Sequence, residues 1–243
     1  MRQIRAFIPK VTFFCIILLN SLLAQNFSHF VFSEMLRIST YKGKIDYNRF
    51  LNNTKFDQYL KSLSNFNLSK LESEDEKLAF FINAYNAHVI KNVVSDIGIK
   101  NVNKNFFTVH RFVVAGMEFN LESLNDFISS EFQNPLVHFA LIGAANGFPY
   151  INDRAYESNS LNKFLELNFK NFIQDTLKNR LDRKTKTYFL SELFKWYKDD
   201  FESEAGSIIN FILPYLPIND RSFLKLNKVE MKFTPFDWTL NKK

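Results

Sequence analysis

SEDEKLAFFINAYNAHVIKNVVS, residues 73–95, is the stretch whose reading decides the fold. Ser73 and Glu76 have the spacing of a capping box, and Glu74 and Asp75 place further acid where a helix N-terminus favours it. The pattern predicts a helix over residues 73–95, ended before Gly98. Only a narrow stripe of Lys77, Ala84, His88 and Lys91 interrupts its apolar circumference, so the helix is expected to be buried and central. Asn83 and Asn86 stand three apart and share a face with Ala79, Ile90 and Val93. Both amides should therefore enter the interior, where an unpaired one costs about 1–3 kcal/mol. Two readings are open: the pair ties down a neighbouring loop or strand, or it lines a pocket and holds a ligand.

Outward from this helix, Tyr41–Tyr47 reads as extended, and residues 54–66 place Phe56, Tyr59, Leu60 and Leu63 at helical spacing. Residues 107–114 and 117–121 read as a hairpin across Ala115-Gly116, followed by a short helix from Leu121 to Phe132 that stops before Asn134-Pro135. Leu136–Ile142 (LVHFALI) is a continuous apolar run and is expected to be a buried strand. A turn-rich loop follows over residues 143–153, then an amphipathic helix over residues 160–178. Arg180–Lys186 reads as a solvated hairpin tip. Residues 187–190 read as a short strand, and Ser191 can cap a helix carrying Trp196, Tyr197 and Phe201. A helical segment over residues 208–216 and a last strand through Val229, Met231 and Phe233 complete the pattern. Helices and short strands without a βαβ rhythm predict an α+β fold. The expectation is a single domain, with helices packed around a small, mainly antiparallel sheet.

The first residues are of another kind. Arg2, Arg5 and Lys10 precede a 14-residue apolar run, Val11–Ala24, too short for the roughly 20 residues that cross a bilayer. This is the pattern of a secretory signal with Ala24 before the cleavage point. The expected organisation is a signal peptide over residues 1–24, a lead-in over 25–40 and one domain over 41–243, exported to the periplasm or the extracellular space. An apolar segment kept as an anchor is the open alternative; after cleavage no membrane span is expected. The chain's one cysteine, Cys15, lies inside the run, so the mature chain would carry neither disulfide nor thiolate. The same 24 residues hold three cations and no acid, so half of the formal charge of +6 leaves with them. With no cluster of Lys and Arg interleaved with aromatics further along, nucleic acid is not an expected partner.

Within the domain His138 is the residue most open to chemistry. It sits in the apolar run just before the glycine-containing loop, where side chains and backbone amides can converge on a ligand. A core histidine is the competing reading. That loop lacks both G-x-G-x-x-G and a P-loop lysine, so it is not a phosphate motif. His88 and His110 match no metal-ligand spacing with each other or with His138, and neither metal nor cofactor is expected. Asp237, between Phe236 and Trp238, is a candidate half-buried carboxylate, and Trp238 a candidate pocket wall. Asp126 and Asp200 are weaker candidates.

Five segments together resemble the domain-of-unknown-function family 547 (DUF547). They are Lys44-Ile45-Asp46-Tyr47, the block from Phe81 to Ala87, Val137-His138-Phe139-Ala140-Leu141, the run from Leu190 to Tyr197 with Asp200-Phe201, and Phe236-Asp237-Trp238-Thr239-Leu240-Asn241. The resemblance spans roughly residues 40–241. It implies a family frequent in exported bacterial proteins, found also in plant proteins beside coiled-coil zippers, with no general activity established. The chain departs from the family where members commonly carry cysteines: Gly143 follows the His-Phe-Ala-Leu segment, and Gly147-Phe148-Pro149-Tyr150 replaces a Ser-Cys-Pro-Pro turn. Leu124-Asn125-Asp126 stands in place of Ile-Glu-His. Any thiol chemistry of other members is therefore closed to this chain. The expected role is a non-catalytic domain with a pocket near His138 that takes a protein, peptide or cell-envelope ligand. The alternative is a cysteine-independent hydrolase or transferase using His138 with Asp126 or Asp237.

Overall fold

Helix α3, Glu74–Ser95, forms where its capping box predicts: the Ser73 hydroxyl accepts from the Glu76 amide, and the Glu76 carboxylate accepts from the Ser73 amide. The structure, a computed structural model, describes residues 27–96 and 98–243. The expected signal at residues 1–24, its cleavage point and Cys15 lie outside the described residues. From Leu78 to Ile90 every side chain of α3 is buried, with Ala79, Ala84 and Ala87 allowing neighbours to approach closely.

Around this axis the chain lays α1 (Phe30–Ser39), a tight hairpin of β1 (Thr40–Tyr41) and β2 (Lys44–Ile45), and α2 (Thr54–Asn65). The expected lead-in thus contains a helix. Phe32 of α1 stacks on Tyr59 of α2 with ring centres 5.2 Å apart, and His29 Nδ1 lies 2.7 Å from the Tyr59 hydroxyl. Asn53 caps α2 by accepting from the amides of Lys55 and Phe56.

After α3 come α4 (Lys104–Thr108), the hairpin β3 (Phe112–Val114) and β4 (Met117–Phe119), and α5 (Leu121–Phe132). The hairpin arm expected from residue 107 begins only at Phe112, because the Asn103 side chain accepts from the Phe106 amide and starts α4 in its place. Helix α5 packs along α3 and ends at Gln133 in the left-handed region, φ 44°, before Asn134-Pro135.

Then the structure departs from the sequence expectation. Leu136–Ile142 is not a strand. Pro135–Phe139 forms a 3-10 helix, with the Asn134 side chain accepting from the Leu136 amide and proline in the first turn. A short apolar run fixes burial without fixing secondary structure, and an Asn cap before proline favours a turn of helix.

The remaining elements are α6 (Leu161–Gln174), β5 (Arg180–Asp182), β6 (Thr187–Ser191), α7 (Leu193–Trp196), α8 (Lys198–Ala205), α9 (Ile208–Ile212), α10 (Ile218–Leu226) and β7 (Glu230–Thr234). β5 pairs antiparallel with β6, while β7 pairs with β6 in parallel, Thr187 opposite Glu230 through Ser191 opposite Thr234. Among the described residues the strands fall into three small sheets, and helices cover them. The fold is α+β. Phe139 sits in an aromatic cluster, with ring centres 4.5 Å from Phe169, 5.0 Å from Phe172 and 5.5 Å from Phe194. The chain's 29 phenylalanines, unremarked residue by residue in the sequence, thus supply much of its core.

Candidate functional site

The two amides of α3 each close a pair of hydrogen bonds on a neighbouring backbone. Asn83 Nδ2 donates to the Tyr156 carbonyl at 2.8 Å, and its Oδ1 accepts from the Tyr156 amide at 2.9 Å. Asn86 Nδ2 donates to the Ala140 carbonyl at 2.9 Å, and its Oδ1 accepts from the Ile142 amide at 3.0 Å. Both side chains line none of the clefts described below; they pin two irregular segments to the central helix. Asn179, which sequence reasoning missed, works in the same way: Nδ2 donates to the Phe172 carbonyl and Oδ1 accepts from the Ser191 amide. Nothing local marks Asn179, because its partners lie on either side of a hairpin.

His138 projects from the 3-10 helix into a wall built by α8. Its ring stacks on Tyr197 at 3.7 Å and 13°, edge-on to Phe201, and Nε2 lies 2.7 Å from Asp200 Oδ2. The histidine side chain is 1% exposed and the aspartate side chain 47%. With Asp200 accepting, Nε2 carries the proton. Nδ1 is buried and has no hydrogen-bond partner. Burial lowers the imidazole pKa, partly opposed by the hydrogen bond and charge of Asp200, so His138 is neutral near pH 7. The cleft over this pair, about 300 Å³, is lined by Ser129, Gln133, Asn134, Asp200, Ser203 and Glu204 beside His138 and Pro135.

The carboxylates expected as partners of His138 are elsewhere. Asp126 is exposed on α5, within 3.4 Å of the Asn125 amide nitrogen. Asp237 accepts from the Thr239 amide at 2.9 Å and from Asn146 Nδ2 at 3.2 Å. Desolvation is the largest single influence and pushes its carboxyl up, but these donors together with the Lys178 charge outweigh it and hold the carboxyl below the usual range. Asp237 lines a second cleft of about 260 Å³ that shares no lining residue with the first. Trp238 lies against Phe236 and Trp196, with ring centres 4.6 and 5.7 Å away. Asp200, ranked below Asp237 on sequence, is the residue that meets His138; the signal for it was its place three residues after Tyr197, on one helical face.

The space beside Gly143 and Gly147 is filled from outside. A Cβ at Gly143 would sit 2.2 Å from the Phe148 ring, and one at Gly147 would sit 2.7 Å from the Phe236 ring. Aromatic side chains therefore occupy the space that side chains at 143 and 147 would need. Among the described residues no group of three or more His, Cys, Asp or Glu side chains is placed to hold a metal ion. No helix among them is long and apolar enough to cross a membrane.

Comparison with known proteins gives one match: residues 68–173 fit the model of the family described as Protein of unknown function, DUF547. No curated protein and no solved structure matches the chain. The matched stretch runs from just before α3 to near the end of α6 and carries Asn83, Asn86, His138, Gly143 and Gly147, so the chain is similar to the DUF547 family through the part of its fold that surrounds the central helix.

Proposed function

We propose that the protein is an exported domain that binds a peptide carrying cationic side chains, through the cleft floored by His138, without transforming it. One observation carries this reading: the imidazole has no nitrogen to offer a substrate. A general base needs a lone pair within about 2.6–3.2 Å of the proton it takes. In His138 one nitrogen is engaged by Asp200 and the other is sealed in the core. What remains open in the cleft is binding chemistry: the carboxylates of Asp200 and Glu204, the hydroxyl of Ser203, and the amides of Gln133 and Asn134. Two carboxylates and no lysine or arginine in the lining favour a cation.

Trilysine is expected to shift the backbone amide resonances of Ser129, Gln133 and Glu204, and triglutamate to leave them unchanged. Glu204→Gln, which leaves the His138–Asp200 pair intact, should weaken trilysine binding about fivefold, the loss of roughly 1 kcal/mol for a partly exposed charge pair. Diethylpyrocarbonate should spare His138 in the native protein and modify it in urea. Equal shifts with both peptides would end the binding reading. Native His138 modified as fast as in the unfolded chain would return the catalytic one.

Export rests on residues 1–24 and is tested separately. Protein recovered from its native host should begin near Gln25 by mass spectrometry; an intact Met1 would sink the idea.

A further inference from the structure

The second cleft opens where the β1–β2 turn, the loop over residues 143–153 and the C-terminal segment meet. Its charges are of the opposite kind. Lys42 and Lys44 stand exposed in its lining with Lys178 beneath them. The lysines that form ion pairs among the described residues are Lys77, Lys91, Lys178, Lys198 and Lys232. Lys42 and Lys44 are not among them. Lys178 is already committed: its Nζ lies 2.8 Å from Asp175 Oδ2 and 3.7 Å from the centre of the Tyr150 ring, with the side chain 8% exposed. It stiffens one wall and leaves the outer two lysines to meet a ligand.

Part of the lining is aromatic, and that packing continues out of the cleft. Phe236 lines the cavity and packs 4.7 Å from Trp196 and 4.6 Å from Trp238. The two indoles stack at 26°, and Trp196 is 41% exposed. Asn146 and the ionised carboxylate of Asp237, hydrogen-bonded to each other, line the same cleft. The frame is set before any ligand arrives. The Gly147 amide donates to the Asp237 carbonyl at 2.8 Å, and the Asn146 amide donates to the Thr239 carbonyl at 2.9 Å. A preformed site avoids the ordering cost of binding.

We propose that this cleft and its ledge bind an acidic saccharide, a sugar ring carrying a carboxylate. A pyranose presents an apolar C–H face, which suits this aromatic ledge and above all the exposed Trp196 ring. Its carboxylate meets Lys42 and Lys44 in charge-assisted hydrogen bonds, the stronger kind. Its hydroxyls donate to Asp237 and accept from Asn146. A bare anion would use only the lysines, and a neutral sugar only the ledge; the site holds both, together with an acceptor. This site is independent of the His138 cleft and of its cationic ligand.

The chain's two tryptophans are Trp196 and Trp238, so intrinsic emission reads the ledge alone. The full protein is titrated with trigalacturonate, with galactotriose and with inorganic phosphate. Trigalacturonate should change the emission saturably, galactotriose should bind about tenfold more weakly and phosphate should neither alter nor displace the signal. Lys42→Ala/Lys44→Ala, at two exposed positions, should weaken trigalacturonate about tenfold. Trp196→Ala, read through Trp238, should abolish it. The proposal is overturned by no saturable change, by equal affinity for the neutral trisaccharide, by full competition from phosphate, or by an unchanged affinity in the double lysine variant. The lysine variant decides the matter even if Trp196→Ala does not fold.

Discussion

Acidification from pH 7 to pH 5 is expected to remove about 4 kcal/mol of folding stability, a large share of the roughly 5–15 kcal/mol typical of a domain. The cause is a set of histidines buried without charge. Burial lowers the pKa of His29 to about 3, and burial with the nearby Lys91 cation lowers that of His88 to about 3. His29 lies against the Tyr59 hydroxyl among aromatic rings and meets no acid among the ion pairs of the described residues, and His88 stacks on Phe112 at 3.7 Å with Nε2 buried and unpartnered. In the unfolded chain the same groups titrate near 6.5, so below that pH the unfolded state binds protons that the folded state refuses. Stability is full above about pH 6.5 and falls as pH drops toward the folded values. At pH 5 each of the two costs about 2 kcal/mol, from 1.36 kcal/mol per pH unit. His138 shifts in the same direction, moderated by Asp200. Glu157, whose carboxyl burial pushes up, acts the other way, but only near its own titration range. Urea unfolding at pH 7 and pH 5 measures the difference, and His88→Leu should halve it. Equal unfolding free energies at the two pH values would show that these imidazoles are hydrated.

Asn83→Ala is expected to cost about 3 kcal/mol, because it strands both the amide and the carbonyl of Tyr156 in the core. For a domain of this size that lowers the melting temperature by about 6–12 °C. Tyr156 is 4% exposed, so water cannot take over the lost bonds without opening the segment before α6. Asn86→Ala should behave similarly through Ala140 and Ile142. Exposed Asn65→Ala is the control and should stay within about 0.5 kcal/mol of the parent. Thermal unfolding of the three variants decides the role. Unchanged melting temperatures at 83 and 86 would mean that the amides are not structural ties.

The central helix was legible because its determinants are local. A capping box, acids in the first turn and an apolar circumference all lie within residues 73–95, and each acts over a few residues. The same holds for α2, for α5 with its stop before Asn134-Pro135, and for the polar tip between β5 and β6. The run from Leu136 to Ile142 was not legible. Its sequence demanded burial, and both a strand and a turn of helix satisfy that demand; the Asn86 amide, 56 residues from Ile142, holds the chosen form in place.

The partners of the candidate residues were still less accessible. His138 meets Asp200 because α8 packs across the 3-10 helix, bringing together groups 62 residues apart. Asp237 meets Asn146 across 91 residues because the C-terminal segment pairs with the glycine-containing loop. The sequence by itself determined the α+β class, the buried central helix, the burial of Asn83 and Asn86 and the absence of cysteine after residue 15. The tertiary structure alone decided which carboxylate faces His138, that neither imidazole nitrogen reaches solvent, and that phenylalanine rings fill the space beside Gly143 and Gly147. Local pattern governs burial and capping because those energies act within a few residues, whereas pairing across the fold depends on packing that no short stretch encodes.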